Sequence, residues 1–437
     1  MENPEFLKQA VVYQISLRSF TREGTFRAAE RMLPHVRNAG VDIVYLTPFV
    51  KMDPDMDRRG WSPRQIASGF ETPKNPYRIS DYSKVDVEYG SAEDAASFVN
   101  TAHGLGMKVV FDLVYLHCGP DNVIQYAVPD AFQKNPDGSV RMTQWKFPYL
   151  NYESAEMREY LFANMEYLAL ELGCDGFRCD VGDEVPLDFW EEGFRRIREK
   201  KPGFFGFNEG WNPEYLKVFN ANYGWKWSYG ILGVLRGEKK LAAVVEDQRA
   251  YEEKCPRMPF DLLFLENHDT ATDSWADRID RVLPVEAGNA FFVANFLRPG
   301  IPVIYNGNEI ADRAMMTFFG PVEDPRRAFK TVDWGNALQS DGQKRLALLR
   351  TLSELRHTVP AIADGGMKIF EETVPCDVFS FQRLLPNNHG VLVVVNLSSR
   401  PADFELKTDA GQVLISEGVR PGALWHAAPW GYYVSTI

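Results

Sequence analysis

The chain has 437 residues, of which 45% are hydrophobic and 25% are charged, and its formal net charge is −12. The length is too great for one small domain, and the composition is typical of a globular protein with a large core. The acidic balance, with a pI near 5.2, excludes nucleic acid and anionic membranes as expected partners.

The beginning of the chain and its cysteines predict the compartment. The segment MENPEFLKQAVVYQIS has neither a basic n-region nor an apolar h-region, so no signal peptide is predicted. No apolar run is long enough to span a membrane. The five cysteines are odd in number and show no CxxC spacing, which favours free thiols in a reducing compartment. A cytoplasmic location is therefore expected.

Eight short apolar or β-branched runs alternate with helical patterns along the first three quarters of the chain. They are VVYQIS (11–16), IVYLTP (43–48), KVVFDLV (108–114), DGFRCD (175–180), FFGFNEG (204–210), WSYGIL (227–232), LLFLENHD (262–269) and GIPVIYNG (300–307). This alternation predicts an α/β fold, a (β/α)8 TIM barrel with a parallel sheet. An open doubly wound sheet is the alternative, but no Gly-rich phosphate fingerprint follows the first run.

Three departures from the alternation predict the domain organisation. Turn-rich residues 118–151 predict a short inserted subdomain after strand three, so the barrel is expected to comprise 1–117 and 152–364. A second enlarged loop covers residues 50–76. From 365 to 437, short runs separated by turn signals predict a C-terminal antiparallel β-sandwich.

Three carboxylates, Asp180, Glu209 and Asp269, each stand at the carboxyl end of a predicted strand. A retaining glycosidase needs an acidic nucleophile and a protonated acid, and a third acid can grip the sugar. Arg178 lies two residues before Asp180, so both side chains point the same way, and the guanidinium is expected to lower the pKa of Asp180. A purely structural Arg–Asp pair is the alternative.

The neighbours of the other two acids suggest separate roles. Glu209 lies in an apolar strand, where desolvation raises a carboxyl pKa as a general acid requires, and Trp211 is a candidate for stacking on the leaving sugar. A structural hydrogen-bonding role for Glu209 is the alternative. His268 and Asp269 together are candidates for binding sugar hydroxyls, although a lone His-Asp pair is most often local structure.

Four segments in order, DLVYLH, GFRCDVGDEV, FGFNEGW and FLENHD, resemble the signature regions of glycoside hydrolase family 13, the α-amylase family. NPYRISDYSKVDVEYGS before strand three, RPGIPVIYNGNE at strand eight and VLVVVNLS near the C-terminus extend the resemblance over nearly the whole chain. The second segment is nearest to the neopullulanase and cyclomaltodextrinase branch.

The resemblance implies roles for individual residues. It implies Asp180 as nucleophile, Glu209 as acid/base and Asp269 as transition-state stabiliser. Arg178 orients Asp180, and Asp112 supports the floor of the site. The implied sugar-binding residues are Tyr77, which stacks on the ring, and His117 and His268, which bind its hydroxyls.

Some positions depart from the family pattern in ways that bear on metal binding and on the subfamily. Leu116 stands where the family usually has an Asn that often binds calcium, so no cofactor is expected and calcium is doubtful. Asp53, Asp55 and Asp57 alternate in the second loop, where a solvated acidic turn is favoured over a cation site. Gly182 and Asp183 replace the Lys-His pair that resembles starch-cleaving α-amylases.

The expected activity is therefore retaining hydrolysis of α-glucosidic bonds in malto-oligosaccharides or related α-glucans. A transglycosylase of the same fold is the alternative, because water and a sugar hydroxyl compete for one intermediate. A non-catalytic carbohydrate-binding relative is a remote alternative, since all three acids are present. A metal-dependent hydrolase is disfavoured by the lack of a His-rich ligand set. A homodimer is compatible with the resemblance.

Overall fold

A closed barrel of eight parallel strands forms the body of the protein. The computed structural model describes residues 4–255, 260–273, 278–317, 319–321, 323–408 and 410–437. Each barrel strand pairs with its neighbours along the chain, and the first also pairs with the last. The strands are Val12–Ile15, Ile43–Leu46, Lys108–Leu113, Gly176–Cys179, Phe205–Asn208, Ala221–Tyr223, Phe260–Phe264 and Ile301–Tyr305.

Alternate residues of each barrel strand point inward and form layers. The lower layers are apolar and include Val12, Ile43, Val110, Phe205, Phe207, Leu262, Ile301 and Val303, all in one buried cluster. Because side chains repeat every second residue along a strand, Glu209 lies directly above the column formed by Phe205 and Phe207. The lower part of the barrel interior is therefore filled by apolar side chains. The polar side chains of the candidate site lie above them, at the carboxyl end of the strands.

Helices cover the outside of the barrel and follow the predicted alternation. The longer ones are Phe26–Asn38, Ala92–Gly104, Ala155–Glu166, Leu187–Lys200, Trp225–Leu235, Leu241–Glu252, Val285–Leu297 and Ser340–Thr358. The helix Phe26–Asn38 begins where the Thr25 side chain accepts the Ala28 N–H. It ends at the C-cap Ala39, and Gly40 follows in the left-handed region with a φ of +88°. The helix Ala155–Glu166 continues as a π-helical turn, Tyr167–Glu171.

Shorter helical segments lie mainly in the loops and at chain crossings. The α-helical ones are Leu17–Phe20, Pro63–Ala67, Ile124–Ala127, Ile279–Val282 and Pro360–Asp364. The 3-10 turns are Glu5–Lys8, Arg58–Gly60, Gly182–Glu184, Pro213–Lys217, Asn308–Ile310, Pro325–Phe329, Trp334–Leu338 and Val374–Cys376.

The prediction of the sixth strand was wrong. WSYGIL (227–232) lies inside the helix Trp225–Leu235, and the sixth strand is the three-residue segment Ala221–Tyr223 before it. This helix is buried on most of its surface, so its apolar run lacks the one-sided pattern of an exposed helix and resembles a strand. Three residues are too few to show a strand pattern.

The two enlarged loops have little regular structure. In the inserted segment, isolated β-bridges join His117 to Tyr149 and Met142 to Pro148, so it folds back on the end of the third strand. In the second loop, strand Val50–Met52 pairs with strand Ile79–Val85, and the helix Pro63–Ala67 lies between them. Both loops reach the carboxyl end of the barrel, where the site lies.

The C-terminal part is a six-stranded antiparallel sheet with its own apolar core. Its strands are Gly366–Ile369, Val378–Leu384, Gly390–Asn396, Ala402–Phe404, Val413–Arg420 and Trp425–Thr436. The long last strand pairs with three others. This sheet is sandwich-like, and together with the closed barrel it confirms the predicted fold class.

Two further expectations concern the surface and the thiols. None of the helices in the described ranges has the length and apolar composition needed to cross a lipid bilayer. Cys118, Cys174 and Cys179 are buried thiols that form no disulfide, in line with the predicted free thiols.

Candidate active site

A cavity of about 490 Å³ opens at the carboxyl end of the barrel, between the two enlarged loops. Asp180 and Glu209 extend their strands by one residue: the Asp180 N–H donates to the Leu113 carbonyl and the Glu209 N–H to that of Cys179. The lining residues are Ser62, Pro63, Arg64, Asn75, Tyr77, His117, Gln144, Trp145, Phe147, Asp180, Val181, Glu209, Trp225, His268, Asp269 and Phe319. The structure thus brings together all three predicted acids.

Arg178 lies at the centre of the acid cluster, fully buried beneath the cavity. Its Nη1 donates to Asp112 Oδ1 at 2.7 Å and to Asp180 Oδ1 at 2.9 Å. Its Nη2 is 2.8 Å from Glu209 Oε2, in the geometry of a charge contact rather than an aligned hydrogen bond. One guanidinium therefore holds three carboxyl groups, which is more than the single Arg178–Asp180 pair expected.

The protonation of the acids differs in part from the prediction. Burial, followed by the charge of Glu209, raises the pKa of Asp180 well above its usual range, and Arg178 only opposes this shift. Arg178 acts to lower the pKa of Asp180, as expected, but desolvation outweighs the ion pair, so the expected low net pKa of Asp180 was wrong. Burial raises the pKa of Glu209 to about 7, as its apolar surroundings predict.

A hydrogen-bonded chain fixes His268, Tyr77 and Asp112 beneath the cavity. Gln14 Nε2 donates to His268 Nδ1 at 2.7 Å, so His268 Nε2 carries the ring proton and donates to Tyr77 Oη at 2.6 Å. Tyr77 Oη in turn donates to Asp112 Oδ2 at 3.1 Å, and Tyr45 Oη donates to the same oxygen. Burial lowers the pKa of His268 to about 3, consistent with this neutral tautomer.

Asp269 differs from Asp180 and Glu209 because its side chain is more exposed to solvent and forms an ion pair with a second arginine, Arg64. Its side chain is 31% exposed, and Arg64 Nη1 donates to its Oδ1 at 2.8 Å. Burial acts to raise the pKa of Asp269, but His268, Arg64 and Arg178 outweigh it and lower the pKa. The site therefore contains one stably ionised carboxylate beside two acids that bind protons more tightly.

His117 lies across the cavity, close to Asp180. Its Nε2 is 3.8 Å from Asp180 Oδ2, and its ring packs against Trp145 and Phe147 of the inserted segment. Burial lowers the pKa of His117 to about 3. Its Nδ1 is buried and has no hydrogen-bond partner within the described part of the chain.

Asp183, one of the two residues that depart from the family pattern, anchors the turn after Glu209. Its Oδ2 accepts the backbone N–H groups of Trp211 and Asn212 at 2.8 and 2.9 Å. Its Oδ1 accepts Asn208 Nδ2 at 2.6 Å. The carboxylate thus braces both sides of Glu209.

The structure does not bring Trp211 to the cavity wall. Its side chain is 58% exposed and lies beyond the turn that Asp183 anchors. The aromatic walls are instead supplied by Trp145, Phe147 and Trp225. Trp145 and Phe147 belong to the inserted segment, and Trp225 begins the helix that contains the wrongly predicted strand, so only their aromatic character could have indicated them.

The side chains near the expected calcium position do not favour a metal there. Leu116 is buried and presents an alkyl group where the resemblance implies an oxygen ligand. Within the described ranges, no group of three or more His, Cys, Asp or Glu residues converges as metal ligands would.

The acidic alternation in the second loop is not a uniformly solvated turn, contrary to the prediction. Asp53 is fully buried, with its Oδ1 3.4 Å from Nη1 of Arg78, whereas the side chain of Asp57 pairs with the exposed Arg59. An internal guanidinium thus supplies the countercharge for Asp53.

Comparisons with known proteins agree with this architecture. The family model of the α-amylase catalytic domain matches residues 16–137. Neopullulanase 2 of Thermoactinomyces vulgaris is 25% identical over 459 residues, which cover 90% of this chain and 70% of the relative. An α-1,4-glucan:maltose-1-phosphate maltosyltransferase of Myxococcus xanthus is 30% identical over 236 residues, covering 50% and 35% of the two chains.

A solved structure of an α-amylase from Lactobacillus plantarum superposes with a TM-score of 0.81. The superposition covers 99% of this chain and 100% of that one, and at 23% identity the likeness concerns the fold. The four ordered signature regions, the closed barrel with its C-terminal sheet, and these matches make the chain similar to the α-amylase family of glycoside hydrolases over nearly its whole length.

Proposed function

We propose that the protein hydrolyses α-glucosidic bonds in malto-oligosaccharides or related α-glucans with retention of configuration. In this proposal Asp180 is the nucleophile, Glu209 is the acid/base and Asp269 stabilises the transition state. Tyr77, His117 and His268 contact the sugar whose bond is cleaved, while Arg178 and Asp112 hold the acids from below. Trp211 is proposed to reach only a leaving sugar that extends beyond the cavity.

In the first step, Asp180 attacks the anomeric carbon as the ionised carboxylate that Arg178 contacts, while protonated Glu209 gives its proton to the glycosidic oxygen. The leaving sugar departs as an alcohol, and a covalent β-glycosyl ester on Asp180 remains. Positive charge develops at the anomeric carbon and ring oxygen, and the ionised Asp269 lies beside them to stabilise it. The neutral ring of His117 binds a hydroxyl group of the sugar.

In the second step, the same groups act in reverse. Glu209, now ionised, removes a proton from a water molecule as the water attacks the anomeric carbon. The ester bond to Asp180 breaks, and the carboxylate is regenerated. Two inversions at one carbon give net retention.

The observation that carries the proposal is the shared guanidinium of Arg178. Asp180 and Glu209 contact its two Nη atoms at 2.9 and 2.8 Å, so the two carboxyl groups are held close together. Retaining enzymes keep their carboxyl groups about 5–5.5 Å apart, and inverting enzymes keep them about 6.5–9.5 Å apart to admit a water molecule. One guanidinium between the two acids favours the shorter separation.

The test is a panel of sugars followed in time by proton NMR and product chromatography. The panel comprises maltose, maltotriose, isomaltose, a cyclodextrin, sucrose and starch, with Asp180→Asn as the control enzyme. Retention predicts that the α-anomer appears first and then mutarotates. If the β-anomer appears first the mechanism is wrong, and if no sugar is cleaved the activity is wrong.

Transfer of the glycosyl group to a second sugar is the other candidate. It uses the same ester intermediate, with a sugar hydroxyl in place of water. Trp225, which lines the cavity and stacks on Tyr229 with centroids 5.3 Å apart, supports it because aromatic faces bind sugar rings. The maltosyltransferase relative also supports it. Products longer than the substrate in the same chromatograms would identify transfer.

The cytoplasmic location and the homodimer stay predictions. Fractionation of the source cells tests the location. Light scattering after size-exclusion chromatography tests the dimer.

A further inference from the structure

Arg64 reaches into the active site from the second loop and binds Asp269 and the turn that follows it. Its Nη1 donates to Asp269 Oδ1 at 2.8 Å. Its Nη2 donates to the carbonyls of His268, Asp269 and Thr272 at 3.1–3.3 Å, and to Thr272 Oγ1 at 2.5 Å. The Arg64 side chain is 14% exposed and lines the cavity.

The backbone that carries Arg64 is held firmly. The short helix Pro63–Ala67 begins with Ser62, whose hydroxyl accepts the Gln65 N–H, and with Pro63 at its first position. Gln65 Nε2 donates to the carbonyls of Thr72 and Pro73, which closes the loop on itself. The guanidinium is thus presented from a fixed base rather than from a mobile loop.

The charges of the site explain what this guanidinium does. Asp112, Asp180, Glu209 and Asp269 are crowded together, and Arg178 contacts only the first three at hydrogen-bond distance. Arg64 is the cation that contacts the fourth. Arg64 contacts Oδ1 of Asp269, while Oδ2 of Asp269 lies 3.4 Å from His268 Nε2. The two contacts together fix the orientation of the Asp269 carboxylate.

We propose that Arg64 is a positioning residue that orients Asp269 and keeps it an anion for transition-state stabilisation. The inference rests on the proposed function, in which Asp269 acts only when ionised and correctly aimed. Arg64 acts through Asp269, so its loss weakens binding of the transition state more than binding of the ground state. A guanidinium that only braced the loop would have no such selective effect.

Two substitutions separate the two contacts of Arg64. Arg64→Gln keeps a donor for the turn carbonyls but removes the charge beside Asp269. Arg64→Lys keeps the charge, but a single ammonium group cannot reproduce the forked contacts to both the carboxylate and the turn. Arg59→Gln is the matched control, because Arg59 lies in the same loop and pairs with the exposed side of Asp57, outside the cavity.

The experiment measures kcat and KM on an activated aryl α-maltoside, with and without methylguanidinium, and Tm for each variant. We expect Arg64→Gln to lower kcat by about 100-fold with KM within about threefold, as for loss of one preorganised donor in an active site. We expect Arg64→Lys to lie between Arg64→Gln and the wild type. We expect methylguanidinium to restore at least part of kcat in Arg64→Gln and to leave Arg59→Gln unchanged.

Three results would overturn the inference: kcat of Arg64→Gln close to that of the wild type, a loss matched by Arg59→Gln, or a loss with lowered Tm and no rescue. Failure of the proposed function gives a different result. In that case the wild-type enzyme itself either cleaves no α-glucoside or releases the β-anomer first.

Discussion

The backbone N–H of Val181, the residue after Asp180, donates to Oε2 of Glu209 at 2.9 Å. Val181 adopts the left-handed region, with φ 43° and ψ 41°, which costs a β-branched residue about 1–2 kcal/mol. This backbone conformation of Val181 points its N–H toward Glu209. The residue after the proposed nucleophile Asp180 thus contacts the proposed acid Glu209. Because Oε2 also contacts Arg178, Oε1 is the oxygen that carries the proton when Glu209 is neutral.

The protonation of Glu209 predicts the alkaline limb of the activity profile. Burial raises its pKa to about 7, and the protonated form is the one that donates to the leaving group. We therefore expect kcat/KM to fall as pH rises through about 7, measured with an unactivated oligosaccharide. Glu209→Gln, assayed with a substrate whose leaving group needs no proton, should lack this limb. The same limb in that variant would assign it to another group.

Substitution of the two central acids should separate their roles. Asp180→Asn removes the nucleophile, so turnover should fall by several orders of magnitude for every substrate. Glu209→Gln should lower kcat by about 10²–10⁴-fold for an oligosaccharide and by much less for an activated aryl glycoside. Mass spectrometry of Glu209→Gln with that glycoside should show a glycosyl adduct on the protein. Wild-type-like turnover by Asp180→Asn would end the proposed mechanism.

The parts of the site that follow from strand positions could be predicted from the sequence. Asp180 and Glu209 directly follow strands, His268 lies shortly after one, and the carboxyl ends of parallel strands in a barrel converge on one face. The pKa of Asp180 could not be predicted, because the sequence shows its neighbour Arg178 but not the depth of burial that decides the balance.

Arg64 could not be predicted either. Its helix lies in an irregular loop whose path no periodicity sets, and its partner Asp269 is 205 residues away along the chain. The place of Trp225 in the cavity wall could not be predicted for another reason. It begins a buried helix whose apolar sequence resembles a strand. Contacts made by loops thus account for most of what the sequence leaves open at this site.

Asp183 offers a test of how firmly Glu209 must be held. Its carboxylate accepts two backbone N–H groups and one amide N–H around the turn that follows Glu209. In Asp183→Asn, the new amide NH₂ group faces N–H groups that now donate to the carboxylate, so at least one of these hydrogen bonds is lost. Each hydrogen bond to a charged group contributes about 1.5–3 kcal/mol to stability. We expect the free energy of unfolding in urea to fall by about 2 kcal/mol and kcat by about tenfold.

Glu184→Gln is the matched control for Asp183→Asn, because Glu184 is the adjacent acid and its side chain is exposed. It should leave both quantities unchanged. Wild-type stability of Asp183→Asn would show that water replaces these hydrogen bonds without loss.

Removal of divalent cations should leave the enzyme active. Leu116 offers no oxygen ligand, and Arg78 already supplies the countercharge of buried Asp53. After dialysis against EDTA, we expect kcat/KM to stay within about twofold of the untreated enzyme and Tm to be unchanged, as for a native state whose stability does not depend on a bound cation. A loss of activity that calcium, but not magnesium, restores would reveal a calcium site elsewhere in the chain.

Trp225 should determine how well the cavity holds a second sugar ring. It lines the cavity, stacks on Tyr229 at an interplanar angle of 14° and packs edge-on against Phe264. Trp225→Ala should raise KM for maltotriose by about two- to tenfold, which corresponds to the roughly 0.5–1.5 kcal/mol of an aromatic stacking contact. KM for an aryl α-glucoside, whose single sugar ring occupies the position between the acids, should change little.

Trp225→Phe is the control for this prediction, because it keeps a flat ring in the same place and should retain most of the affinity. Tm distinguishes a lost sugar contact from damage to the barrel top, where Trp225 meets Phe264. An equal rise in KM for both substrates would mean that Trp225 shapes the position between the acids. In that case the second sugar ring must bind elsewhere, and the other aromatic lining residues Trp145 and Phe147 are the next to substitute.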